Sequence, residues 1–120
     1  MAAFPVPNPF KWDASFDVKS DYFNDQHKKL FDLINDLDAH RDDGAKLKAL
    51  LDFAVKHFKD EEDSFEKHHY ADAANHKATH DKFVADASKV AKVDDGAMGF
   101  IRNWLVNHIK GSDMGYAGKI

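Results

Sequence analysis

The sequence predicts an all-α protein, an antiparallel up-down-up-down four-helix bundle with an extended N-terminal arm. All three prolines lie in residues 1–18, so the rest of the chain lacks the residue that most strongly breaks helices. Four later stretches space their apolar side chains as amphipathic helices do. The turns between these stretches are short, which makes neighbouring helices antiparallel. We predict one domain over residues 1–120, with the arm in 1–18 and the bundle in 19–120.

The arm contains Pro5, Pro7 and Pro9, and alternate prolines favour extended backbone. Its large apolar side chains are predicted to dock on the bundle: Phe4, Val6, Phe10, Trp12 and Phe16. We therefore expect an ordered arm.

The first helix is predicted from Ser20–Asp21 to about His40, and the second from about Ala45 to Lys67. The apolar stripe of the first is Phe23, Leu30, Phe31, Ile34 and Leu37. That of the second is Leu47, Leu50, Leu51, Ala54, Phe58 and Phe65. The turn between them is predicted at residues 41–44, which end in glycine.

The third helix is predicted from about Ala71 to Val90, after a break at residues 68–70. Its inner face carries Ala73, Phe83, Val84 and Ala87. The fourth follows a turn at residues 93–96, with Asp95 as the predicted cap. Its stripe is Ala97, Ile101, Trp104 and Leu105, and Gly111 offers a stop.

The composition excludes several classes of function. The chain has no cysteine, so disulfides, thiolate metal sites and cysteine nucleophiles are excluded. The net charge is −4 and there is no basic block, so we expect no nucleic-acid partner. No apolar run approaches the ~18–20 residues of a membrane helix. We expect a soluble, cytoplasmic protein with no membrane partner.

Metal-binding side chains interrupt the predicted apolar stripes on all four helices. The seven are His27, His57, Glu61, His76, His80, His108 and Asp113. An unpaired buried carboxylate is costly by several kcal/mol, and a bound metal ion removes that penalty. Because no thiolate is available, nitrogen and oxygen donors suit iron, manganese, copper or zinc.

The spacing of these donors determines which of them can meet. Helical residues four apart lie ~40° apart around the axis, so His57 shares a face with Glu61, and His76 with His80. His108 and Asp113 are five apart, and an unbroken helix would separate them by ~140°. If the helix ends at Gly111, the chain can turn and bring Asp113 back.

Five imidazoles and two carboxylates are too many donors for one ion, and they suit two ions bridged by both carboxylates. Three histidines complete one six-coordinate ion that also shares a bridging oxygen. Two histidines leave the other ion with an open position for a small molecule such as dioxygen. A dry apolar wall around that position is predicted from Leu30, Phe58, Trp104 and Leu105.

The other three histidines are predicted to lie outside the site. His40 is at a helix end, and His68 and His69 lie in the predicted break. Glu66 and His69 match one Glu-x-x-His element of ferritin-like di-iron bundles. That architecture needs two such elements and two further glutamates, so we interpret the match as coincidence.

Over essentially its full length, the chain resembles the hemerythrin and myohemerythrin family of non-haem di-iron oxygen-binding proteins. The motifs that carry the resemblance are the Pro-x-Pro-x-Pro arm leading to Phe10–Asp13, His27-Lys28-x-Leu30-Phe31, His57-Phe58-x-x-Glu61-Glu62, His76-Lys77-x-x-His80, the block Trp104–Gly111 with Asp113, and the ending Gly118–Ile120. Asn24 and Gln26 depart from the family, which usually has acids there, and we expect them to alter the surroundings of His27.

The resemblance implies a carboxylate-bridged centre of two iron ions with a bridging oxo or hydroxo group. His76, His80 and His108 would hold one iron, and His27 and His57 the iron with the open position. Glu61 and Asp113 would bridge. The implied function is reversible dioxygen binding for storage or transport, without enzymatic activity, by a monomer or a homo-oligomer.

Two other functions use the same donors. A di-iron enzyme or sensor would act on oxygen, peroxide or nitric oxide. Catalysis requires a proton donor or substrate channel, and a sensor usually carries an output domain, but neither is evident in the sequence. A sequestering protein would hold zinc or cadmium and would be colourless.

Overall fold

The computed structural model describes residues 4–119, in which four α-helices form an antiparallel bundle and no β-strand occurs. The elements are α1 (Asp21–Ala39), α2 (Gly44–Lys67), α3 (Ala73–Ala87) and α4 (Asp95–Gly111), with short 3-10 helices at Ala14–Phe16 and Asp113–Tyr116. The predicted fold class is confirmed. The prediction for residues 1–3 and 120 lies outside the described residues.

Each helix begins where a side chain can satisfy its free backbone N–H groups, except α3. Ser20 accepts from the backbone of Phe23 at the start of α1, and Asp43 accepts from Ala45 at the start of α2. The predicted cap of α4 was wrong by one residue. Asp94 accepts from the backbone N–H of Ala97, whereas Asp95 is already helical and contacts Arg41.

The third helix is shorter than predicted, since it begins at Ala73 rather than Ala71 and ends at Ala87 rather than Val90. The left-handed backbone of His69, with φ of +53°, ends the preceding helix, and a turn then occupies the residues before Ala73. Asp72, a residue type favoured before a helix, precedes this start, but its side chain makes no cap hydrogen bond.

The apolar pattern predicted only some of the side chains by which the arm docks on the bundle. Phe10 and Phe16 are buried and both pack against Phe31. Phe4 and Val6, predicted to dock, are more than one third exposed. At this end a polar contact holds the arm, because the backbone N–H of Phe4 donates to the side chain of Asn107 at 2.7 Å.

Replacing Asp94 with alanine is expected to lower the free energy of unfolding by about 1 kcal/mol, because the N-cap hydrogen bond of α4 is lost. Urea denaturation of the metal-free protein measures the effect. The matched control is D42A, which removes an exposed aspartate from the turn between α1 and α2. Equal effects of the two variants would contradict the capping role of Asp94.

Candidate metal centre

The structure brings all seven predicted donors together in the interior of the bundle. Every one of their side chains is buried, with no more than 4% exposure. Each helix contributes at least one donor, and the 3-10 helix that follows α4 contributes the last. Helical spacing places the donors on the inner faces of their helices, and the packing of the four helices brings these faces together in one cluster.

Asp113 reaches the cluster because the chain turns directly after α4. The helix ends at Gly111, and Asp113 opens the following 3-10 helix. Its Oδ1 lies 2.7 Å from Nε2 of His76 and 3.0 Å from Nε2 of His108. Its Oδ2 lies 3.0 Å from Nε2 of His27. One carboxylate thus contacts histidines from three helices.

The donors form two groups that share both carboxylates. In each group the potential ligand atoms lie within 4.8 Å of one another. One group is Glu61, His76, His80, His108 and Asp113. The other is His27, His57, Glu61 and Asp113. One group therefore has three histidines and the other has two, and each carboxylate belongs to both groups.

The hydrogen bonding of the cluster fits a pair of cations. Three buried atoms that face the interior of the cluster have no hydrogen-bond partner: Nε2 of His27, Oε1 of Glu61 and Oδ2 of Asp113. Nε2 of His80 and Nε2 of His108 face each other at 3.1 Å. Buried polar atoms are normally paired, so nitrogen and oxygen atoms that converge here without hydrogen-bond partners suit a bound metal ion.

The charges of the metal-free cluster also suit a cation. For Glu61, burial and the neighbouring carboxylate raise the pKa, but nearby histidines lower it further, and the balance lies below its usual range. For Asp113, burial is likewise outweighed by His108 and two other histidines, which hold the pKa well below its ordinary value. Both carboxylates are therefore ionised, which is the form that binds metals.

The two histidines of the smaller group differ in protonation. Burial lowers the pKa of His57 to about 4, so its ring is neutral at pH 7. Burial also disfavours charge on His27, but its carboxylate neighbours raise the pKa to about 9.

Three residues that sequence reasoning did not assign to the site contact the donors from outside. Tyr116 donates its hydroxyl proton to Oε2 of Glu61 at 2.5 Å. Oε2 of Glu62 lies 3.0 Å from Nδ1 of His80. Oε1 of Gln26 contacts Nδ1 of His57, not His27 as the sequence suggested. Adjacency to a donor was a signal for Glu62 and for Gln26, although it assigned Gln26 to the wrong histidine. The contact of Tyr116 depends on packing between elements.

Of the four residues predicted to form an apolar wall, three are buried and one is half-buried. Phe58 stacks on His80 with ring centroids 4.0 Å apart, and Leu30 and Leu105 are buried. Trp104 stacks on His108 at 4.4 Å, but it is half-buried and lines a surface cavity of about 320 Å³. The assignment of these four residues to an oxygen pocket stays a prediction.

The remaining histidines lie on the surface. His40, His68 and His69 are exposed. Glu66 and His69 line a surface groove of about 520 Å³ that includes none of the seven donors.

A comparison with protein families finds a match over residues 18–120 to the hemerythrin HHE cation binding domain. The chain belongs to the hemerythrin family. Hemerythrin-like proteins of Naegleria gruberi and Naegleria fowleri are each 57% identical over 97% of this chain and 98% of their own length. The myohemerythrin of Riftia pachyptila is 39% identical over 98% of this chain and 99% of its own.

A crystal structure of wild-type hemerythrin superimposes with a TM-score of 0.85 at 37% identity, covering 91% of this chain and 95% of that one. The cofactor of this hemerythrin-family chain is a non-haem di-iron centre, and the two donor groups are sufficient to hold two ions. In residues 4–119, no helix combines the length and apolar character required to cross a membrane.

Proposed function

We propose that this hemerythrin-family chain binds dioxygen reversibly at its di-iron centre, for storage or transport. The ligands in this proposal are His76, His80 and His108 on one iron, His27 and His57 on the other, and Glu61 and Asp113 between them, with a bridging oxo or hydroxo group. The myohemerythrins and hemerythrin among its relatives support the proposal, since they match nearly the whole chain.

The unequal division of histidines between the two groups is the observation that carries the proposal. Both groups share Glu61 and Asp113, but one has three histidines and the other only His27 and His57. With equal preferred coordination, an ion held by two histidines would retain a position for an external ligand. Two ferrous ions bound by these residues would supply the two electrons needed to hold dioxygen and would recover them on its release.

The chain's own side chains favour a binding site over a catalytic one. The hydroxyl of Tyr116 is engaged with Glu61, and the carboxylate of Glu62 is engaged with His80. General acid catalysis requires a positioned group that is free to exchange its proton with the substrate. Leu30, Phe58 and Leu105 are buried and apolar, so they limit the entry of water.

The proposal is tested by loading the purified protein with ferrous salt under anaerobic conditions and then admitting oxygen. We expect iron to reach two ions per chain. A visible absorption band should appear with oxygen and disappear when oxygen is removed. The same protein loaded with zinc is the matched control and should remain colourless.

Each alternative function gives a different result in this experiment. Sustained consumption of peroxide would indicate an enzyme. A stable product with nitric oxide and no reversible oxygen band would favour a sensor. Tight binding of zinc or cadmium in preference to iron would indicate sequestration. A plateau at one iron or none would overturn the proposal.

The remaining expectations accompany this proposal. A single domain over residues 1–120, a cytoplasmic location, the absence of a nucleic-acid partner, and a monomer or homo-oligomer all stay predictions.

A further inference from the structure

The outer nitrogen of His57 faces a buried amide from another helix. Gln26 lies on α1 next to His27, but its side chain crosses to α2, where Oε1 contacts Nδ1 of His57. Gln26 is 8% exposed, so water does not substitute readily for either partner. The contact therefore determines what His57 can present to the interior.

The other end of the Gln26 amide is held by Asp60. Nε2 of Gln26 donates to Oδ2 of Asp60 at 2.9 Å. The same oxygen accepts from Nζ of Lys56 and from the hydroxyl of Tyr22, each at 3.0 Å. Three donors thus converge on one carboxylate oxygen at the edge of the bundle.

The chemistry of these groups permits one consistent arrangement of protons. An ionised carboxylate only accepts hydrogen bonds, so Asp60 requires the NH₂ group of Gln26 to face it. The amide oxygen of Gln26 must then face His57, which it can do favourably only if Nδ1 carries the proton. Nε2 of His57 is left with its lone pair, directed towards the cluster 3.4 Å from Oε1 of Glu61.

We propose that Asp60, acting through Gln26, is a positioning residue that sets the tautomer of His57 and keeps Nε2 ready to bind metal. Neither Asp60 nor Gln26 touches the metal position. This inference rests on the proposed function for the role of His57 as a ligand, but the tautomer itself belongs to the metal-free protein.

His80, in the group with three histidines, provides an internal reference for the tautomer of His57. Nδ1 of His80 lies 3.0 Å from a carboxylate oxygen of Glu62, with no amide between them. Asp60, Glu61 and Glu62 are consecutive, and successive helical residues point ~100° apart. The three carboxylates are thus directed to the Gln26 amide, to the centre and to His80. The tautomer of His80 should not depend on Asp60.

The tautomers can be read directly by ¹⁵N NMR of histidine in the metal-free protein at pH 7. In the wild type we expect His57 to carry its proton on Nδ1. In D60N the amide of Gln26 no longer has a preferred orientation, so His57 should shift to a mixture of both tautomers. His80 should be unchanged. The matched control is D63N, one turn along α2, where Asp63 is paired with Lys59 on the surface.

A second variant distinguishes a change of tautomer from a loss of structure. The double variant D60N/Q26E has its carboxylate at position 26 instead of position 60. There it can accept a hydrogen bond from His57 directly. We expect this double variant to restore the Nδ1 proton. Titration with Co²⁺ gives a second measurement, in which D60N should weaken binding of the second ion about 10-fold and the double variant should recover it.

The inference is overturned if His57 keeps its Nδ1 proton fully in D60N, or if D63N changes it equally. It is also overturned if the double variant does not restore the tautomer although its circular dichroism is that of the wild type. Failure of the proposed function is distinguishable, because it is seen as wild-type protein that takes up fewer than two iron ions.

Discussion

Replacing Asp113 with alanine is expected to reduce the iron content from two ions per chain to fewer than one. Asp113 belongs to both donor groups, and its two oxygens contact His76 and His108 on one side and His27 on the other. Its removal therefore weakens both sites, and it leaves several buried imidazoles without their counter-charge. Iron and protein analysis after reconstitution with ferrous salt measures the loss.

Two further variants make this prediction specific. H80A removes a donor from only one group, so it should retain more iron than D113A. D63A removes an exposed aspartate from α2 and should retain two ions. Circular dichroism establishes that each variant is helical. Full iron retention in a helical D113A protein would remove Asp113 from the ligand set.

Replacing Leu105 with alanine is expected to speed autoxidation of the oxygenated protein by about 10-fold, equivalent to about 1.4 kcal/mol in the barrier. Leu105 is buried and lies three residues before His108 on α4, so the two share a face of the helix. The shorter side chain opens space through which water and protons reach the iron. The decay of the oxygenated visible band measures the rate.

A cavity in the core also destabilises the protein by ~2–5 kcal/mol, which could by itself change the decay. Leu37 provides the control, because it is fully buried on α1 but ten residues from His27, or ~15 Å along the helix. L37A should lose stability without comparable autoxidation. If L37A and L105A decay equally fast, Leu105 has no particular role at the open position.

The convergence of the donors could be anticipated because helical periodicity is a local property. His57 and Glu61 are four residues apart, so their shared face follows from α2 alone. To predict that Asp113 joins the cluster required one further assumption, that the chain turns after Gly111. The structure has that turn. The shared face of His57 and Glu61 needed no knowledge of how the helices pack, whereas the meeting of the four inner faces followed from the predicted antiparallel bundle.

The contacts around the donors could not be anticipated in this way. Gln26 is adjacent to His27, so sequence reasoning placed it in the surroundings of that residue. A one-residue step turns the side chain ~100° around the helix, and Gln26 therefore meets His57 on α2 instead. The hydroxyl of Tyr116 reaches Glu61 because the 3-10 helix that packs against α4 brings this side chain next to α2.

The prediction for the start of α3 and the prediction that Phe4 docks were wrong for different physical reasons. At the start of α3 the prediction overlooked Asp72, whose residue type is favoured at an N-cap and which precedes Ala73, although its side chain makes no cap hydrogen bond. In the arm, apolar character predicted docking for Phe4, whereas a backbone hydrogen bond to Asn107 holds that end in place and leaves the ring exposed.

The small buried face of α3 has a consequence for the life of the cofactor. Only four of its side chains are buried, and two of these, His76 and His80, are proposed ligands beside Phe83 and Ala87. Ions held by His76 and His80 would therefore link this helix to the other three. Metal binding and the docking of α3 on the bundle would then be coupled, because each would stabilise the other.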